Sequence, residues 1–205
     1  MKKYFEENKF YFKCILLVFG VNAVAYFLIK SFIPEFHLIG STLDDKIPFI
    51  PLFIIPYSIW YPFIIVSYFF VFKNNKDEFK RLISVTIFAL LIAYACFIIY
   101  PTRINRPIVD SYNSLSSLLL FLTYKLDVPV NCFPSCHCLL SFITMYFVTF
   151  DKDMNKYFRV IVGIISILIV LSTLFVKQHV IIDVLGAFVI STILFINNDK
   201  ISIFK

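Results

Sequence analysis

Two short stretches of this chain hold the side chains best suited to chemistry: Phe133-Pro134-Ser135-Cys136-His137 and Lys177-Gln178-His179-Val180-Ile181-Ile182-Asp183. Together they contain two of the three histidines. Each stands at the rim of a long apolar run, where an ionisable side chain is costly to place and marks a functional candidate. His179 and Asp183 are four residues apart, so at a helix start they share a face one turn apart. A carboxylate beside an imidazole fixes its tautomer and supports its positive charge. The other nitrogen is then free to attack phosphorus or to act as a general base. A plainer reading is a His–Asp pair that only stitches two helices together.

In the first stretch, proline followed by Ser135 is an N-cap pattern, and a capped helix end presents N–H groups and a positive dipole to an anion. His137 in that first turn is placed to protonate an oxygen leaving phosphorus. Arg103 and Arg106, within Tyr100-Pro101-Thr102-Arg103-Ile104-Asn105-Arg106-Pro107, and Lys177 add forked and point-like cations for phosphate oxygens. Nucleophile, acid and cations are the set that phosphoryl transfer requires, with neither metal nor cofactor needed.

The elements that must position these residues are membrane-length. The 205 residues are 60% hydrophobic with a mean hydropathy of +0.86, above the ~45–50% apolar content of soluble domains. Apolar runs over 11–29, 49–72, 82–99, 137–150, 157–176 and 178–196 predict six spans in a single all-α domain covering 1–205. The second run contains Pro51, Pro56 and Pro62 and reads as an irregular, kinked helix. No cleavage signal follows the first run, so it is expected to remain as a helix. Leu115, Leu118, Leu119, Leu122 and Leu126 mark one face of a helix over 114–127, too short to span and suited to the membrane interface.

The net charge of +6 follows the positive-inside rule rather than nucleic-acid binding, whose motifs are absent. With six spans and an inner amino terminus, thirteen of the nineteen Lys and Arg fall inside, whereas the acidic residues divide seven to six. Both termini are thus expected in the cytoplasm. The same topology carries all the motif residues to the extracytoplasmic face of the cell membrane, which the charge count did not require. Cys132, Cys136 and Cys138 crowd around His137, but zinc sites draw on two separated ligand pairs and no second pair is visible.

In order along the chain, Arg106-Pro107, Pro134-Ser135-Cys136-His137 and Ser172-Thr173-Leu174-Phe175-Val176-Lys177-Gln178-His179-Val180-Ile181-Ile182-Asp183 resemble the three motifs of the PAP2 superfamily of integral membrane lipid phosphatases. By that resemblance His179 is the nucleophile that becomes phosphohistidine, Asp183 orients it, and His137 is the general acid. Ser135, the Cys136 N–H and Arg106 resemble phosphate ligands. Three positions depart from the pattern: Ile99 stands for the usual Lys, Thr173 for Arg and Cys136 for Gly. Arg103 and Lys177 are the nearest replacements for the two cations.

This variant is similar to the branch with inositol-phosphorylceramide and sphingomyelin synthases. The resemblance therefore implies a lipid phosphate or pyrophosphate as substrate, with water as acceptor or, alternatively, a lipid or sugar hydroxyl. A non-catalytic lipid-binding protein with a degenerate site is a third reading.

Overall fold

The computed structural model of the protein describes residue 6 and residues 8–32, 35–109 and 113–204. Lys2, Lys3, Glu7, Asp110 and Lys205, which enter the charge count above, lie outside the described residues. The chain is helical: α1 (Lys9–Phe32), α2 (Thr42–Asp45), a 3-10 turn (Pro51–Phe53), α3 (Ile54–Ser58), α4 (Trp60–Asn74), α5 (Lys76–Ile99), α6 (Leu115–Leu126), α7 (Cys136–Thr149), α8 (Lys156–Phe175) and α9 (Ile181–Ile196). Two short strands, β1 (His37–Leu38) and β2 (Thr102–Arg103), pair in parallel. Three helical stretches, Pro51–Asn74, Lys76–Ile99 and Lys156–Phe175, are long and apolar enough to cross a membrane.

Local sequence sets these boundaries. The kinked second run breaks at Ile59 because Pro62 has no N–H to give the Ser58 carbonyl and its ring crowds that group. The third run begins at Lys76 rather than at Leu82, since Asn75 Oδ1 caps it by accepting from Asp77 N at 2.9 Å and Glu78 N at 3.2 Å. The sixth begins at Ile181 rather than at Gln178, because Val180 is extended and serves as N-cap. His179 therefore precedes the helix instead of riding on it.

Helix α7 is the axis of the bundle. It packs against α4, α5, α8 and α9, and every residue from Cys138 to Val148 except Met145 is buried. A helix that is apolar all round belongs in such a place. The leucine stripe of α6 behaves differently: Leu115 and Leu126 are 72% and 79% exposed, whereas Leu120 on another face is buried against Ile54, Tyr57 and Val176. The helix holds the protein with Leu119, Leu120 and Tyr124 and leaves Leu115, Leu118, Leu122 and Leu126 exposed.

The connections sort to two ends. At one, Asn74 Nδ2 donates to Asp151 at 3.0 Å, Arg81 pairs with Asp199, and Phe10 meets Phe204 edge-on at 5.6 Å. At the other, the 37–48, 100–107, 127–136 and 176–181 segments assemble the site.

Candidate functional site

The two motif loops are held by backbone bonds that cross between them. Thr102 Oγ1 accepts from Cys132 N and Phe133 N at 3.0 Å each, and Asn131 N donates to Thr102 O at 2.7 Å. Ser135 N donates to Asp183 O at 3.3 Å, joining the first motif to the second. Phe133 lies against Gly186, where a Cβ would come within 2.4 Å of its ring. Only a residue without a side chain lets α9 approach that loop so closely. Asn131 (φ 55°) and Lys177 (φ 52°) both adopt left-handed backbone, one in each loop that leads to a histidine. Such backbone costs about 1–3 kcal/mol per residue and tends to gather at working sites.

His179 Nδ1 lies 3.1 Å from Asp183 Oδ2, and the same oxygen accepts from Val180 N at 3.1 Å. Because an ionised carboxylate only accepts, it holds the imidazole proton on Nδ1 and leaves the Nε2 lone pair available. Asp183 is completely buried. Across from this pair His137 is stacked on Tyr57 at 4.4 Å and lies against Trp60 at 4.2 Å, so its ring faces are covered and its nitrogen edge is what remains. The two imidazole centroids are 6.2 Å apart. The two rings thus border the same space, within reach of one small bound group.

Both histidines line a cavity of about 430 Å³, within the ~300–1,000 Å³ of small-ligand sites. The cavity runs from the imidazoles past Tyr57, Trp60 and Tyr61 to Asn22 on α1 and Tyr94 on α5. Cys136 also lines it. At the start of α7 Ser135 is the N-cap, accepting from Cys138 N at 3.3 Å, and no described residue accepts from the N–H of Cys136 or His137. Two orphan donors at a helix start are what an anion uses. Ser135 itself is fully buried and lies behind the wall.

The three expected cations are placed otherwise. Among the described residues no Lys or Arg lines the cavity. Arg103 is exposed in β2. Lys177 Nζ donates to the carbonyls of Asp44 at 2.8 Å and Ile47 at 2.6 Å, clamping the loop that follows α2. Asp44 Oδ1 accepts in return from Ile181 N at 2.7 Å. Arg106 sits one layer back: Nη1 donates to Asp127 O at 2.7 Å and to Gln178 Oε1 at 2.8 Å, and Nη2 to Tyr124 O at 3.2 Å. Its guanidinium stacks 4.1 Å from the Tyr124 ring, and burial pulls its pKa below the ordinary value. Burial pushes the Tyr124 phenol up to about 12.

Residues that motif spacing did not single out complete the wall. Gln178 Nε2, Trp60 Nε1 and Asn131 Nδ2 are buried polar donors with no partner among the described residues, and all three residues belong to the cavity wall. Buried donors without partners are rare, and each asks for an explanation. Asp127, at the C-cap of α6, accepts from Tyr57 Oη at 3.0 Å. Gln178 was legible only as the neighbour of His179, and no signal in the sequence pointed to Asp127 or Tyr57. Cys132 and Cys136 are wall residues, while Cys138 Sγ contacts Thr173 Oγ1 at 3.5 Å. Burial raises the Cys132 thiol well above its ordinary pKa, so it stays protonated and weakly reactive.

No family model matches the chain, and no curated protein does.

Proposed function

We propose that this is an integral membrane enzyme that transfers the phosphoryl group of a lipid phosphate or pyrophosphate to water through a phosphohistidine at His179. One observation carries the reading: a histidine backed by a buried carboxylate faces a second histidine across 6.2 Å of one cavity. The resemblance of the motifs to PAP2 lipid phosphatases supports the same reading. Taking part as a lipid phosphotransferase needs only that a hydroxyl replace water in the second step.

In the first step the His179 Nε2 lone pair forms the N–P bond while the bond from phosphorus to the leaving oxygen breaks. That oxygen takes a proton from His137 and departs as an alcohol or a phosphate. Asp183 accepts the Nδ1–H and offsets the charge that grows on the imidazole. In the second step water attacks phosphorus and gives its proton to His137. The N–P electron pair returns to Nε2 and inorganic phosphate leaves. Neutral donors and the α7 N-terminus hold the non-bridging oxygens.

We place six helices across the bilayer. Helix α1 and the three long stretches are joined by α7 and α9, whose 14 and 16 residues rise only about 21 and 24 Å but are packed among longer neighbours. The exposed leucines of α6 lie in the interface. Both termini are then cytoplasmic and the site faces outward. Brief exposure of purified protein to ³²P-labelled lipid phosphate, followed by alkaline quenching, should yield one phosphohistidine, at position 179. Label that survives His179→Ala would sink the proposal.

A further inference from the structure

The helix that carries the carboxylate partner of His179 is not capped by its own N-terminal residue. Val180, the N-cap of α9, has no side-chain oxygen, so the first amide groups of the helix must find acceptors elsewhere. Asp183 turns back to take Val180 N. Ile181 N instead donates to Asp44 Oδ1 at 2.7 Å, across 137 residues of chain. The Asp44 carboxylate is itself fixed, because Oδ2 accepts from Ser41 N at 2.8 Å and from Ser41 Oγ at 2.6 Å. One oxygen therefore serves α2 and the other α9. The two segments are fastened at further points: Ile50 N donates to Phe175 O at 2.9 Å, and Lys177 Nζ donates to the Asp44 and Ile47 carbonyls. Asp44 does not line the cavity.

We infer that Asp44 is a positioning residue of the His179 site: from a distant loop it caps α9 and so fixes the carboxylate that orients the imidazole. The route is short. Asp183 lies in the same first turn as Ile181, and its Oδ2 serves both Val180 N and His179 Nδ1 at 3.1 Å. His179 is held from the other side, its N donating to Thr173 O at 3.1 Å. The imidazole thus belongs to the end of α8 and the carboxylate to the start of α9. Their register depends on how α9 begins, and Asp44 fixes that beginning. With the Ile181 N–H stranded, the first turn opens and Asp183 Oδ2 moves off Nδ1. A misplacement of about 1 Å at such a pair costs up to about 10²-fold in rate. The effect on rate rests on the reading above; the effect on the imidazole does not.

The chain has three histidines, so ¹⁵N-histidine labelling combined with His37→Asn and His137→Asn assigns the His179 ring. At a pH where that ring is neutral, its nitrogen shifts report the tautomer directly. The natural protein should show Nδ1–H, and Asp44→Ala should shift the signals toward Nε2–H. The same variant should slow labelling of His179 by ³²P lipid phosphate about 10–100-fold. Binding of dihexanoyl phosphatidic acid, read from the fluorescence of Trp60 in the cavity wall, should stay within about twofold. Asp44→Asn keeps an oxygen for Ile181 N, since water can take the N–H of exposed Ser41, and should hold tautomer and rate near those of the natural protein. Ile181→Pro removes the donor at a helix position that accepts proline, and in that background Asp44→Ala should change nothing further. An unchanged tautomer in Asp44→Ala overturns the inference, as does an equal shift in the neighbouring Asp45→Ala. Asn as damaging as Ala, or a full Asp44→Ala effect on top of Ile181→Pro, overturns it too. A tautomer shift in a protein that forms no phosphohistidine rejects the catalytic reading and leaves Asp44 as the group that sets the pair.

Discussion

The arrangement around Asp183 makes an unusual demand on the Asp183→Asn variant. In many His–carboxylate pairs an amide turns its NH₂ toward the imidazole, reverses the tautomer and lowers the rate about 10⁴-fold. Here one oxygen, Oδ2, serves both Val180 N–H and His179 Nδ1 at 3.1 Å, while Oδ1 is buried without a partner among the described residues. An asparagine must put its carbonyl oxygen where the two donors converge, because its NH₂ would face a backbone N–H. The tautomer is thereby kept. What is lost is charge: a hydrogen bond to a charged group contributes about 1.5–3 kcal/mol and a neutral one about 0.5–1.5 kcal/mol. The difference of about 1–2 kcal/mol corresponds to roughly a 5–30-fold slower phosphorylation of His179. Asp183→Ala removes the orienting oxygen and strands the Val180 N–H, and should slow the same step at least about 10³-fold. Single-turnover formation of labelled phosphohistidine measures both. If Asn is as damaging as Ala, the two donors do not share one oxygen. If Asn is as fast as Asp, the carboxylate charge does not act on the step.

Other substitutions probe separate parts of the same arrangement. His137→Asn should cut phosphoryl transfer from a lipid monoester by about 10²–10⁴-fold, but from p-nitrophenyl phosphate, whose leaving group needs no proton, by less than tenfold. Equal losses on both substrates would remove His137 from the acid role. Gly186→Ala drives a methyl to 2.4 Å from the Phe133 ring; at about 1–3 kcal/mol for overpacking, the melting temperature should fall by about 3–10 °C, and an unchanged melt would show that the ring can step aside. Lys177→Met should lower the melting temperature by a few degrees through its two lost carbonyl bonds and keep kcat within about tenfold. A hundredfold loss of kcat with an unchanged melt would instead make Lys177 a phosphate ligand.

What could be read in advance divides along physical lines. Helices came through because apolar length and caps are local properties: Ser135 accepts from the backbone where a cap is expected, and Asn75 and Ser114 do the same at two other helix starts. Pairing of His179 with Asp183 also came through, though by a different route from one helical turn. The carboxylate at the third position of α9 folds back over the N-cap, so spacing alone gave the right partners on the wrong scaffold. The contacts of the cations were not legible, because sequence says how near a residue is along the chain, not which way its side chain reaches. Lys177 is two residues from His179 yet points to the 44–47 carbonyls, and Arg103 lies in a strand whose pairing with His37–Leu38 no local pattern announces. Asp127 and Tyr57 were silent because they meet only after α3 and α6 pack together, 70 residues apart.

Arg106 is a half-buried charge that orients a residue of the cavity wall without lining the cavity itself. Its Nη1 fixes Gln178 Oε1, which decides the direction of the Gln178 amide and leaves Nε2 without a partner among the described residues. The guanidinium also ties the 124–127 carbonyls, and with them the backbone of Asp127, to the same turn. A cation set directly in the cavity would repel a protonated His137. With that charge one layer back, the wall holds an oriented amide instead, and no Lys or Arg lines the cavity among the described residues. Arg106, expected as a phosphate ligand, does not line the cavity and joins Gln178 to the backbone of Asp127, two residues of its wall.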